Sequence, residues 1–425
     1  MKNNISSVRG MHDILPEESG KWKKLEHILA KLALRFGYNE LRTPILENTK
    51  LFQRSIGQET DIVNKEMYSF DDRNGDSITL RPEGTASCVR ALLQAGLLRS
   101  PGQKVWYLGP MFRYERPQKG RTRQFHQFGM EVYGIANVNV ELELLSYCDI
   151  LWQNLGLKNK LKLEINCLGS SDCRTRYKTD LVKFFLEHKK ELSPAEVQRL
   201  ENNPLRLLDS KNPIIKELLK DAPQLVSYIC AEETSHFNLL KKGLDNLNIR
   251  YEVNPFLVRG LDYYNGTVFE WTTTELGAQG TVCAGGRYDK LVAKLSNNVE
   301  TPAFGFALGM ERLLEISNLI GQAQNGIYII TTDISMRDYA NVIAHEIREK
   351  FDVTCQLDHQ ESNIKTKLKK AVTNNALIAI IIGGTEIEMN CVTLKNLKQQ
   401  KQEQVSRTDL ISHLNTIFGD KYESI

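Results

Sequence analysis

The chain lacks several features that would place it quickly in a class of protein. Its eight cysteines include no C-x-x-C pair and its eight histidines no H-E-x-x-H spacing, so neither a disulfide framework nor a zinc site is indicated. The apolar run Leu377–Ile382 is far too short to span a bilayer, and the segment MKNNISSVRGMHD has no secretory character. These absences predict a cytoplasmic protein with reduced thiols and no membrane attachment.

Familiar nucleotide-binding loops are missing as well. Neither the Walker pattern G-x-x-x-x-G-K-[ST] nor G-x-G-x-x-G occurs. The net charge is only +3 over 425 residues, so any contact with nucleic acid must come from local clusters of charge. With 41% hydrophobic and 25% charged residues the composition is that of a globular protein, and the length predicts two or three domains.

Three regions differ in their hydrophobic pattern. Residues 1–168 alternate helical and strand-like stretches, with a helix predicted at Trp22–Phe36, a strand at Ile78–Leu80 and a helix at Ala86–Ala95. Residues 169–250 are charged, leucine-spaced and predicted to be mostly helical, with a capping box at Ser193-Pro194-Ala195-Glu196. Further strands are predicted at Tyr251–Val258, Thr267–Thr273 and Thr281–Ala284. The helical block is therefore predicted to be an insertion in one discontinuous antiparallel-sheet domain, residues 1–168 and 251–322.

Residues 325–425 alternate buried strands with helices. The strands are predicted at Gly326–Thr332, Val353–Leu357 and Leu377–Gly383, and the helices at Asp338–Phe351 and Ser362–Asn374. This order predicts a compact α/β domain with a largely parallel sheet core. The lysine- and glutamine-rich stretch Lys395–Gln404 is predicted to be a solvated turn or sheet edge.

The stretch VWYLGPMFRYERPQKGRTRQFHQFGMEVYG, residues 105–134, predicts a β-hairpin with a cationic loop. Arginine presents a planar fork of donors that suits phosphate oxygens, so a polyanion is the expected partner. A solvated surface hairpin is the alternative, but aromatic Phe125 and the carboxylate Glu131 beside the cations favour a binding site. The cations are Arg113, Arg116, Lys119, Arg121 and Arg123.

Five motifs carry a resemblance to one family. FRYERPQKGRTRQFHQ at 112–127 resembles motif 2 of the class II aminoacyl-tRNA synthetases, GFALGMERL at 305–313 motif 3, and GYNELRTPILE at 37–47 motif 1. LVRGLDYY at 257–264 and AGGRYD at 284–289 resemble the two signatures of the histidyl-tRNA synthetases. Because the motifs are long and occur in order along essentially the whole chain, the chain is identified as similar to the bacterial members of that family.

The resemblance implies an α+β catalytic domain, with an antiparallel sheet, flanking helices and a helical insertion, followed by a C-terminal α/β anticodon-binding domain. It also implies that Arg113 and Arg259 are catalytic and face each other across the α-phosphate of ATP, whereas Arg259 taken alone would be expected to pair with Asp262 or another carboxylate. Fixed positive charge at the reacting phosphorus would stabilise the approach of two anions. ATP contacts are expected from Arg113, Glu115, Arg121, Phe125 and Arg312.

Histidine carries a cationic amine at one end and a ring with two nitrogens at the other, so its site needs acceptors at both ends. A site that satisfies both nitrogens rejects amino acids that lack them, because its buried polar groups would stay unpaired. The resemblance implies contacts to L-histidine from Glu83, Gly84, Thr85, Arg113, Gln127, Glu131, Arg259, Tyr263 and Tyr264.

The resemblance implies further partners. Gln118 and Arg123 are the expected readers of the acceptor end of histidine tRNA, where the family's extra 5′ guanosine suits arginine. Mg²⁺ is expected to bridge the ATP phosphates, with its protein ligands unassigned and Glu311 a candidate. Motif 1, with Pro44, implies a homodimer. For the second step no side chain is a compelling base, and a phosphate oxygen of the adenylate is expected to serve.

The function implied is ATP-dependent attachment of histidine to its tRNA through a histidyl-adenylate. The main alternative is a non-catalytic paralogue that acts as a regulatory subunit of ATP phosphoribosyltransferase, which generally lacks the C-terminal domain and the motif arginines. Two less favoured hypotheses are a class II synthetase for another amino acid and an RNA-binding protein without catalysis. A lysine cluster in the C-terminal domain is interpreted either as a solvated face or as an RNA contact: Lys365, Lys367, Lys369 and Lys370.

Overall fold

Two units make up the chain, Met1–Gly321 and Gln322–Ile425. The computed structural model describes residues 5–57, 60–118, 120–208, 210, 212–277, 280–296, 300–320 and 326–419. Within these ranges, no helix is long and apolar enough to cross a membrane.

The strands of the first unit form one large sheet and one small one. The large sheet has eight strands among the described residues, in the order β1-β5-β6-β11-β10-β9-β7-β8, and β2, β4 and β3 form the small sheet. Neighbours in the large sheet are antiparallel except at its two edges, where β1 pairs with β5 and β7 with β8 in parallel. The strands are β1 Asn39–Glu40, β2 Leu46–Asn48, β3 Tyr68–Asp71, β4 Ser77–Leu80, β5 Gln103–Phe112, β6 Gln124–Tyr133, β7 Lys162–Cys167, β8 Tyr251–Val253, β9 Asn265–Thr272, β10 Thr281–Arg287 and β11 Ala303–Gly309.

Helices cover one face of the large sheet and fill the insertion. Helix α1 starts at Pro16, earlier than predicted, because proline is well suited to the first helical position. The helix ends before Gly37, whose φ angle is +76°. The α-helices of this unit are α1 Pro16–Arg35, α2 Thr49–Ile56, α3 Thr85–Gln94, α4 Asn139–Asn154, α5 Ser171–Glu187, α6 Pro194–Asn202, α7 Pro213–Leu218, α8 Ala231–Asn246, α9 Leu291–Ser296 and α10 Met310–Ile316. Short π or 3-10 turns lie at Ile62–Glu66, Leu97–Arg99, Lys189–Glu191, Pro204–Leu207 and Leu225–Ser227.

The β5–β6 hairpin, predicted from the sequence, gives the sheet its two faces. The two strands pair at ten positions, from Gln103 opposite Tyr133 to Phe112 opposite Gln124. Since side chains alternate along a strand, Phe128 packs in the core beneath the sheet while its neighbour Gln127 lies on the opposite face. The opposite face carries polar side chains such as Gln127 beside a second apolar cluster, in which Val105 and Tyr133 pack with α3 and α9.

One strand prediction was too long. The run Tyr251–Val258 is a strand only as far as Val253, and a loop follows. Pro255 has no N–H to donate to a sheet, and the Asn166 side chain binds the carbonyl oxygens of Pro255 and Leu257 at 3.2 and 3.0 Å. The loop that results carries Arg259.

The described residues of the insertion form helices, and the capping box at Ser193 is present with both of its hydrogen bonds. Tyr177 and Leu181 of α5 share a buried cluster with Tyr263 and Tyr264, so the insertion packs directly against the loop that carries Arg259. Whether residues 169–250 form a separate domain stays a prediction.

The second unit holds a five-stranded sheet in the order β13-β12-β14-β15-β16. The strands β13, β12 and β14 are parallel, as predicted for the core of this sheet. The strands β15 and β16 add an antiparallel hairpin next to β14. This hairpin includes most of Lys395–Gln404 and lies at the sheet edge. The elements are β12 Gly326–Thr331, a 3-10 turn at Ile334–Met336, α11 Arg337–Lys350, β13 Cys355–Leu357, α12 Ile364–Thr373, β14 Ala376–Ile382, α13 Gly384–Glu388, β15 Cys391–Asn396, β16 Lys401–Ser406 and α14 Leu410–Phe418.

The predicted lysine cluster on α12 is only partly a surface cluster. Lys367 is 5% exposed, and its ammonium donates to the carbonyl oxygen of Thr331 at 2.9 Å, which ties α12 to the end of β12. A buried ammonium needs such an acceptor. Lys365 and Lys369 are exposed.

A buried ion pair fastens β10 to α4. Glu141, fully buried, accepts hydrogen bonds from Arg287 Nε and Nη2 at 2.9 and 2.6 Å and from His236 at 2.7 Å. Burial alone would raise the pKa of Glu141, but the hydrogen bond from His236 and the charge of Arg287 together lower it. The stabilisation is therefore present at neutral pH and is lost as the pH falls through the lowered pKa of this carboxyl.

We expect Arg287→Met to lower the free energy of unfolding by roughly 3 kcal/mol at neutral pH, because a buried carboxylate loses its main partner. Arg42→Met is the matched control: Arg42 pairs with Glu40, but its side chain is 82% exposed, so no measurable change is expected. Urea unfolding monitored by tryptophan fluorescence measures both. The four tryptophans all lie in the first unit, at Trp22, Trp106, Trp152 and Trp271. Equal stability of the two variants would contradict this account of the buried pair.

Candidate active site

A cleft open to solvent lies on the face of the large sheet that carries Gln127, beside the β5–β6 hairpin and the loop that carries Arg259. The structure brings together in its lining most of the residues predicted for ATP and histidine: Glu83, Thr85, Arg113, Glu115, Arg121, Phe125, Gln127, Arg259, Tyr263, Tyr264 and Arg312. Gly84, Gln118, Arg123 and Glu131 are not in the lining.

Arg113 follows β5 directly and is held by the backbone of a neighbouring segment. Its Nε donates to the carbonyl oxygen of Pro82 at 2.9 Å, and its guanidinium lies 5.3 Å from the ring centroid of Phe125. Burial lowers the pKa of Arg113, although the side chain stays charged at any physiological pH. Nη1 of Arg113 lies 3.9 Å from Glu115 Oε1, so Arg113 and Arg121 share this carboxylate.

Arg259 reaches the same cleft from the loop after β8. The sequence suggested Asp262 or another carboxylate as its ion-pair partner, and the partner is Glu270 on β9. The other oxygen of Glu270 accepts from Thr281 Oγ1 at 2.9 Å, so the counterion is itself fixed by β10. Among the described residues, Arg259 Nε has no hydrogen-bond partner although it is buried, which leaves one donor for a ligand.

Two more arginines extend the positive charge along the cleft. Arg121 pairs with Glu115, and Arg312 donates to the carbonyl oxygens of Gly120 and Thr281. Burial, together with the charges of Arg121 and Arg113, lowers the pKa of Arg312 to about 10. Because the charges of Arg121 and Arg113 contribute to this shift, a polyanion bound in the cleft would be favoured.

The opposite end of the cleft has acceptors. Glu83 accepts hydrogen bonds from the N–H groups of Thr85 and Ala86, both at 2.8 Å, at the start of α3. Burial raises the pKa of Glu83. Gln127 Oε1 is buried and has no partner among the described residues, so it is free to accept a hydrogen bond from a ligand amine.

Glu131 lies just beneath this end of the cleft and is fully buried. Thr85 Oγ1 donates to it at 2.6 Å and the hydroxyl of Tyr288 donates to its other oxygen. Burial raises the pKa of Glu131 to about 8, and the two hydrogen bonds oppose that rise. Gly305 pairs with Glu131 across β11 and β6, and any Cβ at Gly305 would overlap the carboxylate.

Tyr263 and Tyr264 complete the wall next to Glu131. Their ring centroids are 4.6 Å apart, and the guanidinium of Arg259 lies 5.7 Å from the ring centroid of Tyr264. Burial raises the pKa of Tyr264 to about 12, so its hydroxyl keeps its proton and can donate a hydrogen bond. The cleft thus combines a cationic end with an end of paired carboxyl, amide and phenol groups.

Gln118 and Arg123, predicted to contact tRNA, have contacts close to the hairpin loop. Gln118 and Arg121 form an isolated antiparallel bridge, and the guanidinium of Arg123 stacks 3.8 Å from the ring centroid of Tyr114. Arg123 also donates to the carbonyl oxygen of Glu115 at 3.2 Å. Lys119 lies outside the described residues.

Glu311, the carboxylate weighed as a metal ligand, already has partners. It accepts from the backbone N–H of His126 at 2.9 and 3.0 Å, and one of its oxygens is 3.0 Å from His126 Nδ1. No group of three or more His, Cys, Asp or Glu side chains within the described ranges could hold a metal ion.

The sequence reasoning missed two residues that shape the site. Tyr288 holds Glu131, and Glu270 holds Arg259. Tyr288 lies within the AGGRYD motif, which could have drawn attention to it. Glu270 lies in a strand without a recognised motif, so only the three-dimensional pairing reveals it.

A cleft with converging arginines at one end and buried acceptors at the other can bind a phosphate-rich ligand beside a small molecule that carries an amine and a donor-bearing ring. Two family models match the chain: histidyl-tRNA synthetase over residues 10–313, and the anticodon binding domain over residues 326–417.

Solved structures agree with these matches. The apo histidyl-tRNA synthetase of S. aureus is 35% identical, with 96% of this chain and 99% of that chain covered and a TM-score of 0.80. The histidyl-tRNA synthetase of a Nostoc species is 17% identical over 97% and 100% of the two chains, with a TM-score of 0.68. A Bacillus halodurans protein described as an ATP phosphoribosyltransferase regulatory subunit/histidyl-tRNA synthetase is 22% identical over 90% and 100%, with a TM-score of 0.65.

The last two, at their low identities, show the fold alone. The family match over most of the chain, the S. aureus structure and the second match to an anticodon binding domain lead to one conclusion: this chain belongs to the histidyl-tRNA synthetase family.

Proposed function

We propose that the protein is a histidine–tRNA ligase, which joins L-histidine to ATP as histidyl-adenylate, releases diphosphate, and transfers the histidyl group to histidine tRNA with release of AMP. The single observation that carries this proposal is that Arg113, Arg121, Arg259 and Arg312 share one cleft with Gln127, Tyr264 and the acceptors around Glu131. The domain boundaries given above, a cytoplasmic location and the absence of membrane attachment belong to the same proposal.

In the first step a carboxylate oxygen of histidine attacks the α-phosphate of ATP. Both reactants are anions, so their approach needs fixed positive charge where the new bond forms. Arg113 and Arg259 supply it: each is held by a partner, Pro82 O or Glu270, and Nε of Arg259 has no partner among the described residues. Because these donors are fixed before the substrate arrives, little reorganisation is needed in the transition state.

The outer phosphates and the base occupy the rest of the cleft in this proposal. Arg121 and Arg312 bind the outer phosphates and the edge of the nucleotide, and Phe125 stacks on adenine, with Glu115 as the acceptor for its amine. All four line the cleft, with Phe125 on the hairpin strand β6. The lowered pKa of Arg312 supports this assignment, since a bound polyanion would relieve the repulsion among the arginines.

Histidine is recognised at the acceptor end. Its α-amine donates hydrogen bonds to Gln127 Oε1 and to Glu83, beside Gly84 and Thr85. Gln127 Oε1 is buried and has no partner among the described residues. Glu131 and Tyr264 bind the two ring nitrogens, with Tyr263 packed against Tyr264. A competitor without a ring donor and acceptor would form neither of these hydrogen bonds, which gives discrimination by hydrogen bonding.

In the second step the ribose 3′-hydroxyl of the tRNA attacks the carbonyl of the adenylate. No histidine–carboxylate pair in the described lining of the cleft is free to act as a base, since Glu311 is engaged with His126. A phosphate oxygen of the adenylate is the proposed acceptor of the proton. Gln118 and Arg123, on the hairpin loop, are the proposed contacts for the acceptor end of the tRNA.

Mg²⁺ is part of the proposal as an ion bound mainly through ATP. The described residues hold no three-ligand cluster, which fits an ion that keeps phosphate oxygens and waters as most of its ligands. Glu311 and Glu115 are the carboxylates of the lining near the arginines and would be its nearest protein groups. Bound there, the ion would neutralise charge on the departing diphosphate.

The second candidate is a regulatory paralogue without catalysis, favoured by the structural likeness to the B. halodurans protein. Amino-acid-dependent ATP–diphosphate exchange across all twenty amino acids separates the two. Exchange with histidine alone supports the ligase, exchange with another amino acid indicates a different synthetase, and no exchange at all favours the regulatory paralogue.

We expect Arg259→Ala to reduce histidine-dependent exchange by roughly a thousandfold, because a charge that acts in the transition state is removed. Histidine binding, measured by calorimetry, should change far less. Arg176→Ala, an exposed arginine on α5, is the control and should keep wild-type exchange. Near-normal exchange in a folded Arg259→Ala variant would overturn the catalytic assignment.

The second unit is proposed to bind the anticodon, as its family match suggests. Removal of the chain from Gly326 onward should preserve most histidine-dependent exchange, because every residue of the cleft lies before Gly321. Charging of full-length tRNA should fall sharply, since phosphate and anticodon contacts are lost. Wild-type charging by the truncated protein would show that this unit does not read the tRNA.

Assembly as a homodimer is proposed from motif 1. Ile45 and Leu46, which follow Pro44, are 42% and 43% exposed in the single chain, and a partner subunit would cover such apolar groups. Light scattering at micromolar concentration should give about twice the chain mass of 48.5 kDa. A mass of 48.5 kDa would count against the dimer.

A further inference from the structure

The loop of residues 254–264, between β8 and β9, carries Arg259 and both tyrosines of the ring site. Its beginning is fastened to β7, where Asn254 N–H donates to Ile165 O at 3.0 Å and Asn166 binds the carbonyl oxygens of Pro255 and Leu257. These contacts fix the entry to the loop. At its other end Tyr264 directly precedes Asn265, the first residue of β9, which pairs with Arg287. The carbonyl oxygen of Tyr264 has a further partner.

The insertion adds a contact to the end of the loop. Arg174, in the first turns of α5, donates from Nη1 to the carbonyl oxygen of Tyr264 at 2.8 Å. The bond is partly buried, and burial lowers the pKa of Arg174 while the charge of Asp262 opposes that change. A charged donor in a partly desolvated place gives a strong and directional hydrogen bond.

Packing around this bond leaves the loop little freedom to move sideways. Tyr177, one turn after Arg174, and Leu181 lie in the same buried cluster as Tyr263 and Tyr264. Apolar packing of this kind is not directional, so it permits a small shift of the loop along the helix. The hydrogen bond from Arg174 supplies the direction that the packing lacks.

A second contact joins the insertion to the neighbouring segment. Arg206, in the 3-10 turn Pro204–Leu207, pairs with Asp61. The same neighbourhood contacts the loop, because Asp262 N–H donates to Ile56 O at 3.1 Å. The insertion therefore meets the site at more than one point, but among its described side chains only Arg174 binds the backbone of a residue that lines the histidine end of the cleft.

We propose that Arg174 of the insertion is a positioning residue for the first half-reaction: its hydrogen bond to the carbonyl oxygen of Tyr264 holds Tyr264 in register with the cleft. The inference rests on the proposed histidine-activating function. It gives the insertion a part in adenylate formation, separate from any contact with tRNA. Loss of the bond lets Tyr264 drift from the histidine ring, whereas Arg259 keeps its own partner, Glu270.

The test compares two arginines of one helix in the full-length protein. Arg174→Met removes the hydrogen bond to Tyr264. Arg176→Met removes a similar hydrogen bond inside the insertion, which Arg176 Nη2 donates to the carbonyl oxygen of Tyr228 at 3.1 Å. Histidine-dependent ATP–diphosphate exchange without tRNA gives the KM for histidine, the KM for ATP and the maximal rate. Thermal unfolding of each variant reports the stability.

We expect Arg174→Met to lower the ratio of the maximal exchange rate to the KM for histidine by about tenfold or more. A change of this size is typical of the loss of a hydrogen bond from a charged donor. The KM for ATP should stay within about twofold, because the phosphate contacts of Arg121 and Arg312 do not depend on the loop. Arg176→Met should match wild type. Arg174→Lys should recover much of the lost rate, since lysine can donate one charged hydrogen bond to the same oxygen.

Identical kinetics for Arg174→Met and Arg176→Met would overturn the proposal. A loss of exchange activity in Arg174→Met would also overturn the proposal if both KM values rose together and the variant were less stable. A purely structural role of Arg174 would have that effect. Wild-type protein without histidine-dependent exchange would instead refute the proposed function, and the inference would fall with it. The wild-type measurement alone thus distinguishes the two failures.

Discussion

Mutual repulsion among buried arginines is the constraint around which the cleft is built. Arg113, Arg121 and Arg312 lie close enough that the pKa of Arg312 is lowered to about 10, by burial first and by its two neighbours second. Each guanidinium is held by an acceptor from a different part of the fold, such as Glu115 or the carbonyl oxygen of Pro82. The fold thus keeps in place an array of charge that would otherwise separate, and the array suits a ligand with several negative charges.

The alternation of side chains in one hairpin separates this charged site from the apolar core. Phe128 and Met130 of β6 pack below the sheet, whereas Gln127 and Glu131 lie on the other face. A shift of one residue in the pairing of β5 with β6 would exchange the two faces, so the ten-position register between these strands is a requirement of the site as well as of the core.

Much of this arrangement could be predicted from the sequence, because motif spacing and hydrophobic period are local. The β5–β6 hairpin and the C-terminal α/β unit followed from such patterns. Pairings between distant segments did not: Arg259 with Glu270, and Lys367 with Thr331, depend on which elements become neighbours after folding. The strand predicted through Val258 failed for a similar reason, since a side chain of β7 binds the backbone there.

Gly305 shows how narrowly the ring site is defined. It lies in a strand and carries no functional group, yet a single methyl group at this position would occupy the space of the Glu131 carboxylate. The same methyl group would also lie 2.6 Å from the backbone carbonyl oxygen of Met130. A residue without a functional group therefore controls both the space for a buried carboxylate and the close pairing of β11 with β6.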